Sequence, residues 1–393
     1  MTMAMTNHST SVARDCPVDP VIAGTATILV TIGLVMVASA TTEISARTFG
    51  DPFYMFTRHL VFLTVGIGIA GATLMLPLRV LHRVDWIFLL LAFVLLIAVL
   101  IPGIGREVNG SMRWIPLGPV SIQGSEIVKL FVIVYIAGYL VRRKEEVHSN
   151  ILGFINPLLL VSALVLLLLE QPDFGAAIVL MAVSLGIIFM AGVPIKRFFP
   201  IISVCMLLTA ILAVWQPYRL ERLTSFTNPW EHQLDGGYQL TQALIAFGRG
   251  EFFGLGLGNS IQKLFFLPEA HTDFLFSIIA EELGAVGALL VTFLFCVLVI
   301  RGFWIGRLAY NQGSEFNAYI AFGVSLLLGI QSAINIGVNL GLLPTKGLTL
   351  PLMSFGGNSL VLSCLLIGLL LRVEFETREE PLVNKVRVRS HGK

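Results

Sequence analysis

Apolar runs about as long as the hydrocarbon core of a bilayer is thick recur along this chain, and they leave few folds open. A helix rises about 1.5 Å per residue, so about 20 apolar residues cross the core. Runs that meet or approach that length cover 21–41, 60–76, 85–101, 126–141, 157–169, 174–191, 198–214, 273–300, 319–343 and 352–371. They predict about ten crossings. The fifth run is short unless Asn156 and the residues before it extend the helix. Of the 393 residues 56% are hydrophobic and 13% charged, where a soluble domain carries about 25% charged. With a mean hydropathy of +0.85, a soluble protein built on one core is excluded. The expected class is an all-α, polytopic membrane protein.

The distribution of charge orients the spans. With an even number of crossings, Arg79, Arg83, Arg142, Arg143, Lys144, Lys196, Arg197, Arg301 and Arg307 fall on one side, together with the basic segment 372–393. Lys and Arg accumulate on the cytoplasmic side, so both termini are expected inside. The organisation that follows is an N-terminal tail over 1–20, a membrane domain over 21–375 and a C-terminal tail over 376–393. The first twenty residues lack the basic-then-apolar order of a cleaved signal, and the first helix is expected to stay.

A loop over 216–272, between the seventh and eighth spans, is then outside. It carries Trp230, Tyr238, Phe247, Phe252, Phe253, Phe265 and Phe266, which is not the composition of disorder. Leu240, Leu244 and Phe247 recur at helical spacing and predict an amphipathic helix on the membrane surface. "GLGLGN" over 254–259 follows no strand, so it predicts tight turns rather than a dinucleotide loop. Cys16 lies in the polar tail, whereas Cys205, Cys296 and Cys364 sit in apolar runs as small hydrophobes. No disulfide, metal or thiol chemistry is expected of the four.

Against this background "LPEAHTDFLFSIIAEELG", 267–284, is anomalous, because it holds Glu269, His271, Asp273, Glu281 and Glu282. An ionisable group in a span is a functional candidate by default, given its cost in hydrocarbon. For Asp273 the plain alternative is a carboxylate capping its helix. On a helical wheel Ser277 and Glu281 share a side with Asp273, so Glu281 either lines the same cavity or pairs structurally, while Glu282 points away toward an interhelical partner.

Other polar groups gather toward the same outer leaflet. They are Arg113 beside Trp114, Glu126 and Lys129 at i and i+3, Glu170, Gln171 and Asp173 in "EQPDFG", and Lys346 before the broken stretch "LPLMSFGGNS". Glu126 and Lys129 could instead neutralise each other. Arg113, Lys129 and Lys346 suit an anionic headgroup such as a pyrophosphate. A carboxylate among them suits a general base toward a sugar hydroxyl. Hydrolysing a glycoside needs two carboxylates, whereas a pyrophosphate leaving group needs only cations. One acid with several bases is therefore the economical set for sugar transfer from a lipid pyrophosphate.

At "RWIPLGPVSIQGSEIVKL", "EQPDFG", "GLGLGNSIQKLFFLPEAHTDFLF", "AEELG" and "KGLTLPLMSFGGNS" the chain resembles the SEDS family (shape, elongation, division and sporulation), and the likeness runs from the first span to the last. "LPEAHTDF" and "KGLTLPLMSFGG" resemble its division branch more than its elongation branch. The resemblance implies a ten-helix fold and peptidoglycan glycosyltransferase activity. In that activity lipid II is polymerised at the division septum with inversion, and undecaprenyl pyrophosphate leaves. It implies Asp273 as the catalytic base toward the acceptor hydroxyl and Lys346 on the pyrophosphate. Arg113, Lys129, Glu126, Asp173, Glu269, His271, Thr272, Glu281, Ser354, Gly356 and Gly357 are the expected substrate-binding positions.

The resemblance also implies a divalent cation, magnesium or manganese, with unknown ligands. The implied partners are a class B penicillin-binding transpeptidase of the FtsI type and divisome proteins of the FtsQ, FtsL, FtsB and FtsN types, in the bacterial inner membrane. The chain departs from the family pattern at Gly124, Phe265, Phe355 and Asn358. Two rival functions remain at this point: a lipid II flippase and a non-catalytic divisome scaffold. Polar groups gathered toward one leaflet, without a visible repeat, favour the enzyme over a transporter.

Overall fold

The computed structural model of the chain describes residues 18–108, 110–118, 120–200, 203, 225–344 and 347–390. Most of the 198–214 run, Cys16, Cys205, residues 216–224 of the long loop, and Lys346 lie outside the described residues. In chain order the helices are α1 (Pro20–Phe49), α2 (Tyr54–Met75), α3 (Leu78–Arg83), α4 (Asp85–Leu100), α5 (Gly124–Arg142), α6 (Lys144–Ser149), α7 (Ile151–Glu170) and α8 (Phe174–Met190). Then follow α9 (Tyr238–Gly250), α10 (Leu275–Asn311), α11 (Glu315–Asn339) and α12 (Gly357–Ser390). Among the described residues α1, α2, α5, α7, α10 and α11 are long and apolar enough to cross a membrane, and α4 and α8 are shorter apolar helices. The fifth expected span is indeed extended upstream of Asn156, to Ile151, where Asn150 caps it through Leu152 N–H at 3.1 Å.

Lipid is the solvent of the outward faces. Leu159 and Leu166 on α7, and Leu289, Phe293 and Ile300 on α10, are each more than 60% exposed and recur at helical spacing. No soluble bundle presents such stripes. Inside, small residues set the approach of the helices. Gly66 of α2 lies against Cys364, and Gly368 of α12 against the backbone of Ala70, so these two helices meet with almost nothing between their axes. The bundle is tied at one end by Asp19. Its carboxylate caps α1 at Val21 and Ile22 and receives Arg301 of α10 at 2.6 Å.

A small antiparallel sheet joins α4 to α5, and the apolar periodicity did not predict it. Its strands are β1 (Arg106–Val108), β2 (Ser111–Leu117) and β3 (Val120–Gln123), in the order β1-β2-β3. Trp114 pairs with Gln123 and Ile115 with Ile122. Its short strands carry polar and Gly-rich turns rather than a long hydrophobic run, so the signal was weak. Asn358 Nδ2 donates to Ser121 C=O at 2.7 Å and anchors the sheet to the start of α12.

The long loop is built into the bundle. Helix α9 forms where Leu240, Leu244 and Phe247 predicted it, but its buried side (Leu240, Ala243, Ala246, Gly250) turns to protein. A Cβ on Gly250 would lie 1.9 Å from Ala280 C=O of α10, so the apolar stripe is spent on that helix rather than on the bare membrane surface.

Beyond α9 the chain crosses a break in α10 at Gly284, which has φ 72° and ψ −171°. Leu255 and Gly256 N–H donate to the carbonyls of Glu281 and Glu282 at 3.0 Å each, while Ala285 and Val286 N–H donate to Glu251 and Phe252 at 2.9 and 3.2 Å. The loop thus supplies the partners that the broken helix lacks, as non-helical backbone at membrane depth requires. Gly254, Gly256 and Gly258 all have positive φ, as the tight turns demand.

Gly254→Ala tests this exchange. At φ 79° its new Cβ would fall 2.2 Å from Glu282 C=O. Loss of roughly 1–3 kcal/mol is expected, read as a lower thermal midpoint in detergent, whereas Gly248→Ala, which meets nothing within 4 Å, should leave it unchanged.

Candidate active site

Four segments meet at the end of the bundle where the sheet lies: β2, the turn between α7 and α8, the 268–274 turn, and the irregular stretch 347–356. The 268–274 turn is made by Glu269, whose φ is +55° and whose carbonyl accepts from Thr272 and Phe274 N–H at 3.2 Å each. Thr272 Oγ1 also donates to Glu269 Oε2 at 2.7 Å. Asp273 is therefore presented by a turn, two residues before α10 begins at Leu275, and the helical wheel drawn from it does not apply.

The Asp273 carbonyl is gripped by two amides of α11, Asn335 Nδ2 at 2.8 Å and Asn339 Nδ2 at 3.0 Å. Asn335 also donates to Leu348 C=O at 2.6 Å, and Asn339 Oδ1 accepts from Ser277 N–H and Oγ. With Gln331, whose Nε2 donates to Thr349 C=O at 3.1 Å, these amides form a ladder at i, i+4 and i+8. It holds the 347–350 strand against the 273 turn. The sequence reading passed over Gln331, Asn335 and Asn339. Polar residues every fourth position in an apolar helix were the signal available.

The 347–356 stretch closes around the same point. Leu350 N–H donates to Ser354 Oγ at 2.9 Å, Thr349 Oγ1 to Ser359 Oγ at 2.7 Å, and Phe355 N–H to His271 C=O at 2.9 Å. The Phe355 ring lies between His271 and His59, with centroids 5.5 and 5.8 Å away. A Cβ on Gly347 would come within 3.3 Å of Asp273 Oδ2, so the acid faces bare backbone. Gly356 is open beside Thr349 and Ser359, and Gly357 packs on the Phe62 ring.

Asp173 caps α8 through Ala176 N–H at 3.2 Å and accepts Ser125 Oγ at 2.9 Å. Arg113 donates from Nε to Gln171 C=O at 3.3 Å and from Nη2 to Pro172 C=O, which sets its guanidinium over this turn.

Three expected site residues are spent elsewhere. Lys129, 1% exposed, donates to Glu126 Oε1 at 2.7 Å and Gln331 Oε1 at 2.8 Å. Glu126 and Lys129 neutralise each other inside the bundle, and Lys129 braces the amide ladder rather than meeting an anion. Glu281 likewise does not share the Asp273 cavity. It accepts from Ser260 Oγ and from the N–H groups of Ile261 and Gln262 at 3.2 and 3.3 Å, and pairs with Arg249 at 3.4 Å. Glu282 takes Ser39 Oγ, Gly258 N–H and Lys263 Nζ, the last at 2.7 Å, so it is an interhelical partner. Both glutamates pin the loop across the broken helix.

What remains around Asp273 is an acid with neighbours of both signs. Its carboxylate makes no hydrogen bond or ion pair with described residues. Burial pushes its pKa up to about 7, the charges of Glu269 and Asp173 push the same way, and Arg113 opposes them. Burial also lowers His271, against the opposing pull of Glu269, so its imidazole is neutral at neutral pH. An acid poised near neutrality can accept a proton from a hydroxyl and release it again. Among the described residues no group of three or more His, Cys, Asp or Glu is arranged to hold a metal.

Because Glu269 raises the pKa of Asp273 and Arg113 lowers it, the two charges can be separated by mutation. Glu269→Gln should move the titration of Asp273 to lower pH, and Arg113→Gln should move it higher. Isotope-edited infrared titration of the purified protein measures both.

Comparison with known proteins agrees with this architecture. A family model described as "Cell cycle protein", covering FtsW, RodA and SpoVE, matches residues 20–379. A protein of Hahella chejuensis named "Probable peptidoglycan glycosyltransferase FtsW" is 52% identical over 376 residues, 96% of this chain and 94% of its own. A Pseudomonas fluorescens protein of the same name is 52% identical over 91% of this chain and 88% of its own. Among solved structures, a chain from work on structural coordination of polymerization and crosslinking by a peptidoglycan synthase complex superposes with a TM-score of 0.75 at 28% identity, covering 92% of this chain and 99% of the other. The rod shape determining protein RodA of Thermus thermophilus superposes at 0.66 with 29% identity, over 92% and 97%. With a family model matched along nearly its whole length and half its residues shared with such relatives, this polytopic membrane chain belongs to the FtsW/RodA/SpoVE family.

Proposed function

We propose that the chain is a peptidoglycan glycosyltransferase that polymerises lipid II at the division septum. Asp273 is its general base. The observation that carries this reading is the state of that one carboxyl group: unpaired among the described residues, facing the backbone of Gly347 and pushed toward 7 by burial. Such a group removes the proton of the acceptor sugar's 4-hydroxyl as the oxygen attacks the donor's anomeric carbon. The bond to undecaprenyl pyrophosphate breaks as the new bond forms, which inverts that carbon. A pyrophosphate leaves without being protonated, so no second acid is required; cations suffice.

Arg113 is a described cation whose charge is felt at Asp273. Lys346, in the same segment as Gly347, is assigned to the pyrophosphate on the resemblance. The divalent cation that the resemblance implies would be held by Glu269 together with the donor's phosphates, and would offset charge on the leaving pyrophosphate. The names of the relatives support glycosyl transfer, and the likeness to a chain of a peptidoglycan synthase complex supports a transpeptidase partner of the class B penicillin-binding type. Divisome proteins of the FtsQ, FtsL, FtsB and FtsN types and enrichment at the septum belong to the same reading.

Purified protein with its partner, given labelled lipid II in detergent, tests the assignment. Asp273→Asn should lower polymer formation by roughly 100- to 10,000-fold while the thermal midpoint stays that of the wild type. The wild-type rate should rise with pH through about 7, because the base works only when ionised. Polymer made by the amide variant at the wild-type rate defeats the reading. Transbilayer movement of lipid II without polymer would make the protein a flippase instead.

A further inference from the structure

At the end of the bundle away from Asp273, a cavity of about 560 Å³ opens between α3, the start of α4 and the end of α5. Arg79, His82, Arg83, Asp85, Trp86 and Arg142 line it. The cavity is built, not left over. Helix α3 is fixed at its first residue, where Leu78 N–H donates to Glu376 Oε1 at 2.9 Å, and Glu376 is itself held by Asn317 and Arg372 at 3.0 and 2.9 Å. The His82 ring stacks on Phe316, with centroids 4.6 Å apart. Asp85 lies so close to α5 that a Cβ on Gly138 would overlap its Oδ2. That oxygen pairs with Arg142, and Oδ1 is buried without a partner among the described residues.

The charge balance of this cavity favours an anion. The one carboxylate is neutralised by Arg142. Arg79 and Arg83 are exposed and have no hydrogen bond or ion pair with described residues. Two free guanidiniums suit a phosphate. The rim decides which phosphate. Met75, Val80, Trp86 and Leu90 beside the cavity are 83%, 47%, 58% and 55% exposed, an apolar border suited to acyl chains rather than to a free ion in water. The lone Asp85 oxygen calls for a donor, which a headgroup hydroxyl provides.

We propose that this cavity binds the phosphodiester headgroup of an anionic glycerophospholipid such as phosphatidylglycerol. Arg79 and Arg83 hold the phosphate, and Trp86 stands at the level of the glycerol. Basic pockets between transmembrane helices are suited to such headgroups on the side where Lys and Arg accumulate.

The test is native mass spectrometry of the full chain released from nanodiscs of equal phosphatidylglycerol and phosphatidylcholine. The wild type should retain phosphatidylglycerol in preference. Arg79→Gln with Arg83→Gln should cut that retention by roughly 10- to 30-fold, and the Lys pair at the same positions should restore most of it. A thermal melt checks folding, and if the double Gln variant fails it, each single Gln variant is compared with the wild type in the same way. Equal retention by wild type and Gln variants overturns the proposal. Displacement of the lipid by millimolar inorganic phosphate also overturns it, in favour of a free-anion site.

Discussion

Hydrocarbon offers an amide no second partner. Every place where this chain leaves helical geometry inside the bundle must therefore be matched by another piece of protein, and the rest of the structure is arranged around that need. The break at Gly284 is answered by residues 251–256, which give and take backbone bonds across it. The irregular stretch before α12 is answered by the amides of Gln331, Asn335 and Asn339, and by Ser354. Both repairs bear on the segment that carries Asp273. The first anchors the long loop that leads into the 268–274 turn, and the second grips that turn by its own carbonyl. The proposed base, whose placement must hold to within about an ångström, is thereby hung on rigid supports rather than on a free loop.

The same constraint divides the acids of the anomalous stretch by role. Glu281 and Glu282, with 0% exposure, each accept from several donors and serve as scaffolding. Asp273 has its carbonyl held by two amides, while its carboxylate has no hydrogen bond or ion pair with the described residues. Burial raises the pKa of that carboxylate toward 7, the property the proposed base requires and a brace must avoid.

The spans were legible because their length and apolarity have a single physical cause, the thickness of the bilayer, and most helix ends agree closely with the apolar runs. Asp19, Gly50 and Asn150 then mark ends by caps that a sequence states openly. The three-stranded sheet was not legible, since Arg106–Gln123 has neither a sustained alternation nor a long run, and its register depends on α12 through Asn358. The roles of Lys129 and Glu281 stayed open for another reason. A buried charge announces itself in the sequence, but whether its partner is a substrate or a side chain 200 residues away, as Gln331 is for Lys129, is decided only by packing. Asp273 was legible as a residue but not as a position, because the turn created by Glu269 at positive φ moves it off the helix.

Helix α5 connects the two ends of the molecule. It is the most enclosed of the long apolar helices, with 78% of its central window buried, so it cannot tilt without disturbing every neighbour. Near its first turn Ser125 holds Asp173, and Lys129 holds Gln331 one turn later, which sets the register of α8 and α11 at the active end. At its last turns Gly138 admits Asp85 and Arg142 neutralises it, which sets the register of α4 and positions α3 at the other. Polar contacts along one buried rod thus fix both the geometry around the base and the shape of the basic cavity. In a bundle where apolar, non-directional contacts predominate, these directional bonds help select one arrangement of helices from the many that would bury similar area.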